Sequence, residues 1–257
     1  MNCLPRLHAL WRCVARGLRA LVHGAGSIAA CGLAIAIPAA HAAPAEPARV
    51  PDTIEQRVAA CIACHGREGS STNAGYFPRL AGKPEGYLYN QLQSFRDGRR
   101  FQTDMTHMVR HLSDAYLREI AHYFATLDLP YPPVSGKSDA SPDMLARGKV
   151  LVFQGDATRD IPACAQCHGQ ALTGVQPGIP ALVGLPRLYV SSQLGAWVTN
   201  DRHALAPDCM ATVGRKLTTA DINAVASWLA IQPVPADSHA IAAPLAPLPL
   251  PCSAMPP

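Results

Sequence analysis

The residues best suited to chemistry form two short motifs, each with two cysteines and a histidine directly after the second. The motifs occupy positions 61–65 and 164–168 and share the pattern Cys-x-x-Cys-His. Two thiols about one helical turn apart can each bond to a vinyl group of one porphyrin, and the adjacent histidine can present a ring nitrogen to the iron. We therefore predict two covalently attached haems c, held by Cys61, Cys64, His65, Cys164, Cys167 and His168.

Two other chemistries use cysteine pairs with this spacing. A redox dithiol of the thioredoxin type belongs to a βαβ context, which the sequence does not predict. Half of a zinc site would not explain why a histidine follows both pairs directly. We therefore favour haem attachment at both motifs.

An internal duplication organises the chain. The two motifs are 103 residues apart, and a further set of residues recurs at an offset of 102. That set is Pro78, Leu80, Gly82, Pro84, Tyr87, Gln91 and Leu92, which recur as Pro180, Leu182, Gly184, Pro186, Tyr189, Gln193 and Leu194. Met105 recurs as Met210 at an offset of 105. The chain therefore contains two copies of one haem-binding unit.

Each iron needs a second axial ligand from the other side of the porphyrin. The repeat favours Met105 and Met210, because each lies eight residues before the Ser113 or Thr218 that opens the last helix of its copy. A thioether is a soft ligand that suits haem iron, and Met/His ligation raises the reduction potential. The other candidates in the two copies are His107, Met108, His111, His203 and Cys209.

The histidines need a hydrogen-bond acceptor for their remaining ring nitrogen. Pro78 and Pro180 follow them by 13 and 12 residues. Proline has a carbonyl oxygen and no N–H, so it can accept from the imidazole without a competing donor. We expect these two carbonyls to orient His65 and His168.

The pattern around the motifs predicts an all-α fold of two tandem haem domains, each of a few helices around its haem c. A short helix leads into each cysteine pair, over 53–60 and 142–153. A middle helix begins near Pro84 or Pro186, in the first turn, where proline is tolerated. The last helix opens at Ser113 or Thr218, good N-cap residues, and has apolar residues at helical spacing.

The remaining segments predict the boundaries of the domains. Residues 1–42 have a basic start, an apolar run and a small-x-small end, as in a secretory signal peptide cleaved after Ala42. A retained anchor or a lipoprotein site at Cys31 are weaker alternatives. We expect a first domain over 43–130, a linker over 131–141, a second domain over 142–232 and a Pro-rich tail over 233–257, and hence a periplasmic protein.

Charge argues against one class of partner. The chain has 22 basic and 18 acidic residues, and four of the arginines lie in residues 1–42. The remainder has 18 of each sign, so it lacks the basic surface that nucleic acid binding needs.

Together these features resemble the class I cytochromes c, and the tandem form resembles the two-haem cytochromes of the cytochrome c4 type. The resemblance covers about residues 52–231, and an extra loop at 155–162, Cys209 and the tail depart from the simple pattern. It implies Met/His ligation of both irons by His65, Met105, His168 and Met210. It also implies two domains that face each other with haem propionates near the interface, and electron delivery towards a terminal oxidase or from a periplasmic dehydrogenase.

We therefore predict an electron carrier of a respiratory chain and not an enzyme, because an iron bound on both sides has no open position for substrate. The expected partners are redox proteins, namely a terminal oxidase, another cytochrome or a dehydrogenase, and peripheral association with a membrane is compatible with this function. The alternatives are a dihaem peroxidase or thiosulfate-oxidising cytochrome, and an obligate cytochrome subunit of a dehydrogenase.

Two further groups of residues carry expectations. Cys209 and Cys252 are the cysteines after residue 42 that haem does not use, and we predict a disulfide between them. The alternatives are free thiols, or Cys209 in place of Met210 on the iron. Arg96, Arg99 and Arg100 surround Asp97-Gly98; we interpret them as a solvated helix end, with a docking patch or contact to a haem propionate as alternatives.

Overall fold

A computed structural model describes residues 49–71, 76–134 and 136–255, which belong to one compact unit. The predicted signal peptide lies outside these residues. Within the described ranges there is no β-strand, only isolated bridges, which confirms the all-α prediction. The ten α-helices are α1 Ile54–Arg57, α2 Ala59–His65, α3 Glu85–Arg96, α4 Thr103–Val109, α5 Asp114–Ala125, α6 Pro142–Phe153, α7 Cys164–His168, α8 Arg187–Thr199, α9 Cys209–Gly214 and α10 Thr219–Leu229.

The last helix of each copy begins where the sequence predicts. The hydroxyl of Ser113 accepts from the backbone N–H of Tyr116 at 3.3 Å, and that of Thr218 accepts from Asp221 at 3.1 Å. These bonds satisfy N–H groups that have no partner inside the helix. The predicted apolar stripes are buried, and they consist of Leu117, Ile120, Ala121 and Phe124 in α5 and Ile222, Val225, Ala226 and Leu229 in α10.

The start of the middle helix differs slightly from the prediction. Pro84 and Pro186 are N-cap residues with extended ψ values of 133° and 142°, and the helices begin one residue later. The proline therefore ends the preceding loop and is not in the first helical turn. The helix expected over 53–60 is also divided, because α1 and α2 meet at Val58.

The helices of each copy pack mainly on one another. In the first copy α3 lies against α5, and in the second α6 and α8 lie against α10. Gly148 permits the close approach of α6 and α10, because a Cβ atom there would lie 2.2 Å from the carbonyl oxygen of Ala224. The absence of a side chain at Gly148 is thus required by the backbone of the neighbouring helix.

The linker and the tail are both held against the body. Arg79 stacks its guanidinium 4.1 Å from the ring centroid of Tyr131 and donates to the backbone carbonyls of Leu129 and Pro130. In the tail, the N–H of Ile241 donates to Gly174 at 3.1 Å.

Cys209 and Cys252 are joined by a disulfide, as predicted. Near it, the N–H of Ser253 donates to Pro207 at 2.9 Å. The tail is irregular but follows a defined path along the second copy.

A glycine-to-alanine pair tests the helix crossing. We expect Gly148→Ala to lower the free energy of unfolding by about 2 kcal/mol or more, since either α6 or α10 must move. Gly195→Ala in α8 is the matched control, because no atom lies within 4 Å of its added Cβ. Gly195→Ala should raise the free energy of unfolding by about 0.5 kcal/mol or more, because alanine has the higher helix propensity. Denaturant titrations measure both, and equal effects would contradict the crossing.

A second prediction concerns acid stability. Asp221 is 5% exposed and accepts hydrogen bonds from Arg147, Arg159 and Thr218. Burial alone would raise the pKa of Asp221, but these hydrogen bonds hold that pKa well below its usual value. Because the folded-state pKa is depressed, the stabilisation is complete above the unfolded pKa of about 3.9 and is lost as the pH falls below it.

Asp221→Asn should therefore lower the free energy of unfolding by about 1–3 kcal/mol near neutral pH, and by less in acid. The control is Asp160→Asn, whose carboxylate is exposed and 3.9 Å from the amine of Lys216; it should change little. Urea titrations at several pH values measure the difference. A loss for Asp221→Asn that is independent of pH would count against this role.

Candidate functional site

Each Cys-x-x-Cys-His motif lies at the end of a short helix. Both α2 and α7 end at the motif histidine, and a glycine with positive φ follows, Gly66 at 78° and Gly169 at 82°. Glycine adopts a positive φ without steric cost because it has no Cβ atom, and the chain turns sharply there. A Cβ atom at Gly66 would lie 2.3 Å from the carbonyl oxygen of Ser71. The turn therefore positions the loop that passes beneath the histidine.

The orientation of both histidines is fixed by proline carbonyls. His65 Nδ1 lies 2.8 Å from the oxygen of Pro78, and His168 Nδ1 lies 2.7 Å from that of Pro180. A carbonyl can only accept, so Nδ1 carries the proton and Nε2 keeps its lone pair for a metal. Burial lowers the pKa of both imidazoles, and the neutral form is the one that can coordinate iron.

The cysteines do not have the character of a catalytic dithiol. Burial raises the pKa of Cys61 and Cys167, and it raises the pKa of Cys164 to about 12. A reactive dithiol needs a lowered pKa instead. The described residues also contain no group of three or more His, Cys, Asp or Glu side chains that could hold a metal ion by itself. Neither the redox-dithiol nor the zinc interpretation gains support.

A cavity of about 820 Å³ lies beside the first motif. Its wall includes Cys61, Cys64 and His65 of the motif and Met105 and Met108 of α4. The other two candidate ligands of this copy, His107 and His111, are not among the lining residues. The size falls within the range of about 300–1,000 Å³ that is usual for cofactor sites.

The second cavity is smaller, about 180 Å³, and the expected donors also line it. Cys164, Cys167 and His168 line it, and Met210 lies in its wall while His203 does not. The tail contributes to the wall through Leu250, Cys252 and Ala254.

The disulfide bears on one alternative ligand. Because Cys209 is bonded to Cys252, its sulfur is not a free thiolate that could replace Met210. The donor set of each cavity, two thiols and an imidazole with a thioether in the wall, fits haem c. Coordination by His65, Met105, His168 and Met210 stays a prediction.

One sequence interpretation is wrong. Arg100 is not part of a solvated helix end, because it is only 8% exposed. The interpretation suits Arg96, which pairs with Asp97 and Asp114 at the surface. Arg100 is buried because residues of the second copy pack against it, and it donates to Tyr189 at 3.0 Å and to Gln193 at 2.6 Å. In the sequence, Arg100 recurs as Arg202 at the repeat offset of 102. This recurrence was the signal that could have distinguished Arg100 from a solvated residue.

The described helices include none with the length and apolar character needed to cross a bilayer.

Comparisons with known proteins agree with this chemistry. The family model for cytochrome c matches residues 55–128. A thiosulfate dehydrogenase electron acceptor from Thiomonas intermedia is 40% identical over 75% of this chain and 86% of its own length. A cytochrome c4 from Pseudomonas aeruginosa is 35% identical over 68% of this chain and 85% of its own. The crystal structure of reduced cytochrome c4 from Pseudomonas stutzeri superposes with a TM-score of 0.58 at 34% identity, covering 68% of this chain and 94% of that one.

The axial methionines can be tested by substitution in the haem-loaded protein. Met105→Ala and Met210→Ala should each remove about half of the weak sulfur-to-iron absorption of the oxidised form. The potential of the affected haem should fall by on the order of 0.1 V or more, within the roughly 0.8 V range that axial ligands span. Met108→Ala is the control, since Met108 lines the same cavity. The assignment is wrong if Met108→Ala loses the absorption and Met105→Ala keeps it.

Proposed function

This chain belongs to the cytochrome c4 family of dihaem electron carriers, and from that premise we propose that it accepts single electrons from a thiosulfate-oxidising dehydrogenase. It carries two haems c and transfers electrons, and its partners are redox proteins. The proposal rests on one observation, the 40% identity to a thiosulfate dehydrogenase electron acceptor over 75% of the chain. The electrons would pass on towards a terminal oxidase.

The site geometry supports the following assignment of residue roles. We assign the first haem to Cys61, Cys64, His65 and Met105 in a domain over 43–130. The second haem belongs to Cys164, Cys167, His168 and Met210 in a domain over 142–232. The haems supply the one-electron chemistry, while the proline carbonyls orient the histidines and the apolar walls exclude water. His65 and Met105 would hold one iron and His168 and Met210 the other, so the haems would supply electron transfer and leave no position at the metal for a substrate.

We also place the protein in the periplasm. The basic and apolar composition of residues 1–42 supports export, and the disulfide between Cys209 and Cys252 suits an oxidising compartment.

A reconstituted electron transfer assay tests the partner. The oxidised holoprotein is mixed with thiosulfate and a catalytic amount of a thiosulfate dehydrogenase, and haem reduction is followed optically. We expect complete reduction of both haems only when all three are present. A cytochrome c4 from a species without this dehydrogenase is the matched control and should be reduced at least about tenfold more slowly, as expected for a specific docking surface.

Two outcomes would contradict the proposal. Equal rates with the control would remove thiosulfate dehydrogenase as a specific donor and leave a general electron carrier. Reduction by thiosulfate alone would favour the thiosulfate-oxidising enzyme instead.

A further inference from the structure

The Pro-rich tail is attached to the second copy at two places, and the first is on the side of the motif histidine. The N–H of Ile241 donates to the carbonyl of Gly174 at 3.1 Å, and the N–H of Gln176 donates to that of Ile241 at 2.8 Å. The tail therefore pairs, as an isolated parallel bridge, with part of the loop between His168 and Pro180.

The bridged loop is the one that orients the histidine. The N–H of Gly174 donates to the carbonyl of His168 at 3.0 Å, and Pro180 supplies the carbonyl that lies 2.7 Å from His168 Nδ1. Between these two points, Val175 and Ile179 are buried and exchange two backbone hydrogen bonds of 2.9 Å. The tail is thus attached to a closed turn that carries the hydrogen-bond acceptor of the histidine.

The second attachment is on the side of the predicted methionine ligand. Cys252 forms its disulfide with Cys209, the first residue of α9, and Met210 follows directly. The N–H of Ser253 also donates to the carbonyl of Pro207 at 2.9 Å. Because α9 has only six residues, it depends on tertiary contacts for its stability. The disulfide supplies a covalent contact at the residue next to Met210.

The tail lines the second cavity but not the first. Three of its residues are in the wall of the second cavity, namely Leu250, Cys252 and Ala254. The described residues that line the first cavity end at Arg202, well before the tail. A disulfide of this kind is also confined to the second copy, because the residue before Met105 is Asp104.

We propose that residues 241–254 form a strap that positions Met210, because they join the loop between His168 and Pro180 to the start of α9. For a small ligand to replace the thioether, the segment that carries Met210 has to move away from the histidine side, and the strap resists this movement. A ligand that binds only the open form has its apparent affinity reduced by the fraction of molecules that are open. The strap therefore keeps competing small molecules off the second iron. The inference rests on the ligand assignment made under the proposed function.

Imidazole titration of the oxidised holoprotein tests the strap without any partner protein. Each haem is followed through the NMR methyl signal of its axial methionine, which is lost when imidazole replaces the thioether. Met105→Ala and Met210→Ala assign the two signals, because each variant removes one of them.

The main variant combines Cys209→Ser with Cys252→Ser. We expect imidazole to replace Met210 in this variant with an affinity at least about tenfold higher than in the unmodified protein, since more molecules are open. The affinity at the first haem should stay within about twofold, because the tail does not line that cavity.

The other attachment gives an independent variant. Cδ1 of Ile241 lies 3.8 Å from the position that a Cβ atom on Gly169 would occupy, directly after the motif histidine. Ile241→Ala removes this packing and should raise the imidazole affinity of the second haem about threefold or more. Leu245→Ala is the matched control, because Leu245 belongs to the same tail and is 83% exposed; it should affect neither haem. Ile241→Ala also serves if the serine variant does not retain both haems.

Combining the variants separates a strap from two local contacts. Once the disulfide is absent, the packing of Ile241 no longer restrains α9. Adding Ile241→Ala to the serine variant should therefore change the affinity by less than about twofold, whereas two independent effects would multiply.

The inference is overturned if the serine variant leaves the imidazole affinity of the second haem unchanged, or if it raises the affinity of both haems equally, as a general loss of stability would. Effects of the two attachments that multiply would overturn it as well. If Met210→Ala removes neither methyl signal, the ligand assignment is wrong and the strap has nothing to position. Because no dehydrogenase enters these titrations, their result is independent of the proposed electron donor.

Discussion

The hydrogen bond from each motif histidine to a proline carbonyl is the constraint on which the rest of each copy depends. It fixes the protonated nitrogen on one side of the ring, and so it points the other nitrogen into the cavity. To deliver that carbonyl, the chain must turn directly after the histidine and return beneath it, which explains the positive φ of Gly66 and Gly169. Residues of the middle and last helices of each copy also line its cavity.

The contact between the copies follows a different principle. Its buried arginines, Arg100 and Arg202, donate to the side-chain oxygens of Gln91 and Gln193. Their guanidinium groups also stack on the rings of Phe95 and Trp197, and such groups stabilise a charge without cancelling it. The two copies therefore meet in a polar contact, whereas the buried clusters within each copy are apolar.

The sequence predicted the features that are local or repeated. The helix starts at Ser113 and Thr218 follow from N-cap chemistry. Among the candidate ligands, Met105, Met108, Cys209 and Met210 line the cavities whereas His107, His111 and His203 do not, so the preference for Met105 and Met210 comes from the duplication. The prediction that Arg100 is solvated was wrong, because its neighbours in the sequence, Asp97 and Gly98, are typical of a solvated helix end. Its burial comes from residues about a hundred positions away. The tail was predicted to be irregular, but composition contains no information about the cavity that Leu250 and Ala254 would line.

The disulfide has a consequence for how this protein is made. Of the six cysteines between residues 49 and 255, four are free thiols and two are joined to each other. Haem attachment consumes thiols as thioethers, so Cys61, Cys64, Cys164 and Cys167 have to remain reduced until the porphyrin arrives. Cys209 and Cys252 need the opposite treatment. Biogenesis must therefore sort chemically identical groups on one chain into two fates, and a premature bond within either motif would leave that half of the molecule without its metal.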